Sequence, residues 1–537
     1  MLETLPDDVL LNIGGHLKSD DHDSLRLVSN ALSDAFAVLV LKSIRICITY
    51  PDESSEKGPV HLELLQWLAD PSPKHKTRLQ AIRNLTIDSL SPFNSHTSPE
   101  NTQSGAEVEQ EVLNCLRSAL LNLTNVHKFT WDVQAKDPVT THGIVAETVS
   151  TYQHLETMQL KLAHLTSPVL HHFRNLRTIR LLVNRAIDSD HPDIETSTTP
   201  LPVLAGLSQA LAQSPELETF SYSTIHDHEP LLDQIFEHEQ LNKTVLPLRD
   251  LALRNIPSPL PLLPHIGNLK SIHITGPIAG GGFNLPSFAE FWKAVEEKGV
   301  RLEDIIVDRI PSSLVDYLSS YSGLKRFSLS KRILEGSVPN EPSDDIDAER
   351  FHLEALPKHA STMEGLILNV RFEDKWCADP SYFTGIAQCT SLRSIGLCFG
   401  FHQLQFEELD ELDFGNEIMN LRLKGELGIS ILTHAFFDAI HENCPLIDTI
   451  QIFHPVPFPT PDGILGFADR WGVTQWAIAT WEESAKDDTS QNRAARADVQ
   501  AIVFLKDHNG HTMAALQADL GDNGCYRYVN YPKAGDK

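Results

Sequence analysis

Residues 212–222 read AQSPELETFSY. A helical run ends, the chain turns at Ser214-Pro215, and Leu217, Phe220 and Tyr222 follow in the spacing L-x-x-L-x-L. From Thr219 to Tyr222 polar and apolar residues alternate, the pattern of a strand that buries one face. The same triplet recurs at Ile82/Leu85/Ile87, Val126/Phe129/Trp131, Leu155/Met158/Leu160 and Leu176/Ile179/Leu181. It continues at Leu248/Leu251/Leu253, Leu269/Ile272/Ile274, Leu302/Ile305/Val307 and Leu324/Phe327/Leu329. It ends at Met363/Leu366/Leu368, Leu392/Ile395/Leu397, Ile418/Leu421/Leu423 and Ile447/Ile450/Ile452. One such triplet is common by chance; a long series of them is not.

Amphipathic stretches lie between the triplets, among them VEQEVLNCLRSALLNL, VLAGLSQALAQS, PLLDQIFEHEQL, FAEFWKAVEEKG, SLVDYLSSYSG and HAFFDAIHENCP. Strand then helix at intervals of about 20–45 residues is the pattern of a leucine-rich-repeat solenoid. The asparagine expected after the strand occurs only at Asn184. Four segments rich in Ser, Pro, Asp and Asn interrupt the series at residues 89–105, 185–200, 334–349 and 483–497, and read as surface loops. Near the end, AIVFLKDHNGHTMAAL reads as a hairpin turning at Asn509-Gly510, and Trp471, Trp476 and Trp481 crowd the stretch before it. A solenoid must cover its last apolar edge, so this region reads as a terminal cap.

The 537 residues carry a net charge of -28. That charge repels phosphate backbones and anionic lipid surfaces, so no nucleic acid and no membrane is expected as a partner. Seven cysteines are scattered without a C-x-x-C pair, which suits reduced thiols and excludes a zinc site of the RING type. The start of the chain has no basic-then-apolar leader, and AFAVLVL (residues 35–41) is too short to span a bilayer. The expected location is therefore the cytoplasm, the nucleus or both.

The N-terminal run LPDDVLLNIGGHL (residues 5–17) starts a helix: Pro6 suits its first turn, and Asp7 and Asp8 suit the positive end of its dipole. Val9, Leu10, Ile13 and Leu17 form a stripe. A second helical pattern places Leu25, Val28, Leu32, Phe36 and Leu39 on one face. With Arg26 and Ser29 these residues resemble an F-box of the type common in fungal F-box proteins. The late tryptophan of that family is absent, and the pair Gly14-Gly15 departs from its pattern. The repeats likewise resemble the irregular leucine-rich repeats that follow many F-boxes.

The expected fold class is thus α/β, with three regions. They are an N-terminal helical F-box-like unit (1–46), an irregular leucine-rich-repeat solenoid (47–460) and a small β-rich C-terminal cap (461–537). The resemblance implies that Leu5, Pro6, Val9, Leu10, Ile13, Leu25 and Val28 dock on a Skp-type adaptor and thereby on a cullin scaffold. It implies a substrate-receptor subunit of a cullin–RING ubiquitin ligase, a non-catalytic protein that holds a protein substrate by proximity.

The positions flanking the strand leucines face the concave surface of a solenoid and suit partner binding. In frame they include Lys161, Arg180, Arg254, His273, Asp304, Arg326, Arg422 and Lys424, with Asp88, Asp132, Asp250, Asp308 and Phe453 beside them. No catalytic set, cofactor or metal site is expected. GPIAGGGF (residues 276–283) lacks the Gly-Lys-Ser/Thr of a phosphate loop, and His226, His228 and His238 lack the spacing of a ligand set. Cys398 falls on a concave-facing position and reads as a plain buried thiol. Two other readings stand beside the receptor. One is a non-ligase leucine-rich-repeat scaffold or inhibitor, which binds partners but no adaptor. The other is an enzyme with a site between Trp471 and Tyr526.

Overall fold

The computed structural model describes residues 7–17, 41–48, 61–70, 78–91, 102–134, 136–162, 170–183, 202–224, 231–237, 239–276, 285–331, 342–370, 374–399, 430–440, 443–453, 500–506, 512–519 and 526–529, with positions 21, 24, 28, 29, 32, 72 and 428. The chain divides into two compact units, Met1–Leu253 and Arg254–Lys537.

In the first unit, β1 (Ser43–Cys47), β2 (Asn84–Ser89), β3 (Lys128–Val133), β4 (Thr157–Leu162), β5 (Thr178–Val183) and β6 (Thr219–Thr224) pair in chain order, all parallel. The residue ahead of β7 (Asp250–Arg254) and its first residue both donate to Glu218 O, ahead of β6. In the second unit, β8 (Ser271–Thr275), β9 (Asp304–Val307), β10 (Arg326–Lys331), β11 (Gly365–Val370), β12 (Ser394–Cys398), β13 (Thr449–Phe453) and β14 (Gln500–Lys506) are again parallel and sequential. There β15 (Thr512–Asp519) and β16 (Tyr526–Val529) add antiparallel to β14.

Most strands whose side chains are described bury alternate residues, while β12 buries Ile395 to Cys398 without a break. From β2 to β6 the pattern repeats, with Leu85/Ile87, Phe129/Trp131, Met158/Leu160, Ile179/Leu181 and Phe220/Tyr222 buried. Register places these pairs beside one another, so a continuous apolar face forms. Helices such as Thr102–Leu121 and Pro202–Ala212 close that face with Val112, Leu116, Leu120, Leu207 and Leu211. Parallel strands need such crossovers, because a tight turn cannot return the chain to the same end.

This open α/β sheet of parallel strands corrects the expected fold class. It is not a helical F-box-like unit followed by an irregular leucine-rich-repeat solenoid with a small β-rich cap. An L-x-x-L-x-L triplet specifies a strand with one buried face; it does not specify the tight, equal turns of a solenoid repeat. The C-terminal strands also form no separate cap, because β14 pairs with β13 in register and carries the same sheet onward. At the other end, Ser43–Cys47 is the strand β1, although its residues read as the tail of a helical unit. Inside the segment 334–349, read as a loop, the helix Pro342–Arg350 begins.

Two polar devices hold the strands in order. The first lies just ahead of them. In the first unit Arg177 N donates to Glu156 O, Glu218 N to Arg177 O and Arg249 N to Glu218 O. In the second the ladder runs Lys270, Glu303, Lys325, Glu364, Arg393 and Asp448. Charge alternates from Glu156 to Arg249 and throughout the second unit's ladder, whereas at the start of the first unit Lys42, Arg83 and His127 take these places without alternation. Glu303 binds Lys270 at 3.2 Å and Lys325 at 2.8 Å, and both lysines hold its carboxyl below the usual range. Skipping one strand would put like charges side by side. The ladder therefore favours sequential pairing among strands whose apolar patterns are nearly interchangeable.

The second device lies past the strand ends. Asp137 Oδ1 accepts from Leu90 N at 2.8 Å and Ser91 N at 2.9 Å. Asp308 Oδ2 accepts from Gly276 N at 2.9 Å, and Asp374 pairs with Lys331 at the end of β10. A buried carboxylate beyond one strand thus holds the exit of its neighbour. Burial pushes the Asp137 carboxyl up to about 6. Replacing Asp137 by Ala orphans two buried N–H groups, and the first unit should lose about 2 kcal/mol. A lowered urea midpoint, followed by proteolysis of that unit, checks it.

Candidate functional site

The positions that alternate with the core residues form the sheet's open face. In the first unit three rows run across it. The middle row reads Arg45, Thr86, Thr130, Gln159, Arg180 and Ser221; the row beyond it contains Asp132, Lys161, Leu182 and Ser223. Arg45 pairs with Asp88, and this bond raises the Arg45 pKa. Lys161 Nζ lies 3.4 Å from Asp132 Oδ2. Asp250 Oδ2 accepts from Thr219 Oγ1 at 3.3 Å. Arg180 is exposed, and among the described residues its side chain has no ion pair or hydrogen bond.

In the second unit Arg254 Nη2 lies 3.4 Å from His273 Nδ1. Arg326 grips Asp304 Oδ2 through Nη2 at 2.7 Å and through Nε at 2.8 Å. Asp304 and Arg326 are direct partners in the register of β9 and β10. The middle row here reads His273, Ile306, Ser328, Ile367, Gly396 and Gln451. Gly396 is needed there: a Cβ would meet Phe453 Cε2 at 2.9 Å and Ile367 Cγ2 at 3.3 Å. Towards β12 and β13 the face is covered, for Gly396, Cys398 and Phe453 are buried. The Cys398 thiol donates to Val370 O at 3.4 Å. Cys377 lies beside it, and that neighbour together with burial pushes the Cys377 thiol up.

The expected partner residues therefore fall into three local groups, Lys161 with Arg180, Arg254 with His273, and Asp304 with Arg326. Arg422 and Lys424 lie outside the described residues. The residues around Arg180 that sequence reading passed over are Gln159, Ser221 and Ser223. The signal that finds them is the two-residue period, since each lies in the same alternation as a residue already chosen.

The helix Asp7–Gly15 is the described part of the adaptor-facing segment. Leu10 is 2 % exposed, so it faces inward. Val9 and Ile13 are 40 % and 37 % exposed and stand one helical turn apart on the outside. Val28 is 67 % exposed. Leu5, Pro6 and Leu25 lie outside the described residues. So do His226, His228, His238, Trp471, Trp476, Trp481 and all but the first residue of the glycine-rich run 276–283.

Among the described residues no group of three His, Cys, Asp or Glu side chains is placed to hold a metal ion. No described helix is long and apolar enough to cross a membrane. No family model matches the chain, and a search of curated proteins finds no match.

Proposed function

We propose that the protein is an F-box-type substrate receptor of a cullin–RING ubiquitin ligase. It docks on a Skp-type adaptor with its N-terminal segment and holds a protein substrate on the open face of its parallel sheet. It performs no chemistry; it raises the local concentration of substrate near the transferring enzyme. The observation that carries this reading is the exposed apolar pair Val9 and Ile13 on a short helix whose sequence resembles an F-box. Exposed aliphatic side chains on a helix of that size suit a partner helix that covers them. The sheet's open face supports the second half, because its charged residues form separate local groups rather than one field.

The helix geometry changes which residues test the proposal. Leu10 is buried, so its truncation confounds binding with folding. Val9→Glu with Ile13→Glu leaves the inward face intact and puts two charges where the adaptor would sit. Co-purification with the adaptor should fall at least tenfold, while the urea unfolding curve stays within about 0.5 kcal/mol, as surface changes usually do. Undiminished co-purification by the double variant sinks the proposal. A wild-type chain that binds a protein partner through the open face but never the adaptor points to a non-ligase scaffold instead.

A further inference from the structure

We infer that Arg180 is the centre of a binding site for a carboxylate, presented by an acidic, extended segment of the partner protein. The inference rests on the receptor reading for the partner's role, but the site itself rests on the chemistry of the open face in the first unit.

Arg45 has Asp88, Arg326 has Asp304 and Arg254 has His273; Arg180 alone of these four has no partner among the described residues. Its nearest neighbours on the open face are neutral hydrogen-bonding side chains. Register sets Gln159 on one side and Ser221 on the other. One step along, Lys161 and Ser223 flank Leu182. Neighbouring strands are about 4.8 Å apart, so Gln159 and Ser221 stand directly beside Arg180, with Lys161 and Ser223 on the diagonals. They offer an amide and two hydroxyls that can donate to an oxyanion, beside the Lys161 ammonium that Asp132 holds at 3.4 Å. The carboxylates of this region are engaged elsewhere, Asp132 with Lys161 and Asp250 with Thr219.

Charge decides between anions. Lys161 is already matched by Asp132, so the local surplus is the single positive charge of Arg180. A carboxylate matches one charge and fits the guanidinium fork with two parallel hydrogen bonds. A phosphoryl group carries about -1.5 to -2 and would leave charge uncompensated here. On a chain of net charge -28, an exposed cation ringed by donors is also the place where an acidic partner meets least repulsion. The sheet surface is open and pleated, so the carboxylate is expected on an extended segment rather than on a small free acid held in a cleft.

The test uses the full-length chain, its Arg180→Gln and Arg180→Lys variants, and a hexapeptide library on a serine background. One central position of each peptide carries Glu, Gln or phosphoserine. At physiological salt the wild-type chain should select Glu over Gln about tenfold, a 1.4 kcal/mol preference. Arg180→Gln should abolish the selection, and Arg180→Lys should keep part of it, because a lysine supplies the charge without the fork. Equal Glu selection by Arg180→Gln overturns the inference. So does preference for phosphoserine over Glu, or no Glu selection by the wild type. Adaptor co-purification on the same preparations reads the receptor proposal separately. Loss of the adaptor with Glu selection intact removes that proposal and leaves the carboxylate site standing.

Discussion

A chain carrying Trp292→Ala is expected to lose about 3–5 kcal/mol in its Arg254–Lys537 unit, the range for truncating a buried tryptophan. Trp292 is 1 % exposed on the helix Leu285–Glu297. Its ring stands edge-on to Phe291 at 5.5 Å and stacks on Tyr317 at 5.7 Å. Tyr317 lies 4.8 Å from Tyr321, which meets His359 at 4.9 Å, so one aromatic row links the helices behind β9 and β10. That row also carries backbone satisfaction. Tyr317 OH donates to Val300 O at 3.0 Å and accepts from Leu302 N at 3.1 Å, and Tyr321 OH donates to Leu302 O at 3.0 Å. Removing the indole leaves a cavity beside Tyr317 and loosens the hydroxyl that holds the entry to β9. Trp292→Phe keeps an aromatic contact and should cost less than half as much. Pulse proteolysis in urea, following peptides of this unit, gives the comparison. A loss below about 1 kcal/mol for the alanine variant would mean that the row is not a structural link.

The same row shows what the sequence discloses and what it hides. Twelve of the triplets fall on β2 to β13, because a two-residue alternation between buried and open positions is written directly in the side chains, while Ile418/Leu421/Leu423 lies outside the described residues. Leu251/Leu253 and Ile305/Val307 fall inside β7 and β9 as read. The hairpin reading also survives in β14 and β15, although residues 507–511 at its turn lie outside the described positions. The architecture was less legible. An array of half-buried strands with helical returns fits a solenoid and an open parallel sheet equally well until strand pairing is known, and pairing is a long-range property. β1 is not legible, because Ile44 and Ile46 follow a helical-looking run without a triplet of their own. The candidate site was legible as a face and not as partnerships. The alternation marks both Lys161 and Arg180, yet only the structure shows that Asp132 engages one and that the other is free among the described residues. Leu10 is buried, and a stripe of four apolar residues on a short helix does not say which of its edges turns inward.

Acid should unfold the second unit well before the chain's carboxylates are all protonated. Three of its histidines are buried and held neutral. Burial lowers His352 to about 3, and lowers His265 and His359 to about 4, with Lys298 and Lys358 pushing the same way. At His359 the Nδ1 bond opposes protonation, since Nδ1 accepts from Leu324 N at 3.3 Å, while the Nε2 contact with Leu318 O at 3.0 Å works the other way and is outweighed by burial. His352 lies flat on Tyr382, with ring centroids 3.9 Å apart, and neither of its ring nitrogens has a hydrogen-bond partner among the described residues. A depressed folded-state pKa contributes stability above the unfolded value of about 6.5, and that stability is lost as the pH falls through the window down to the folded values. By pH 4 the loss is on the order of 2–3 kcal/mol for each of the three, against about 5–15 kcal/mol for a whole domain. In the first unit the trend is opposed. His142 is lowered by burial, but Asp137 and Asp233 are raised by it, so their contribution falls as pH rises and grows in acid. Urea midpoints measured between pH 7 and pH 4 should therefore drop more steeply for the second unit. His352→Phe retains the stack on Tyr382 and removes the titration, so its acid transition should move to lower pH. An acid transition identical to that of the wild type would show that protonation of His352 is not among the causes.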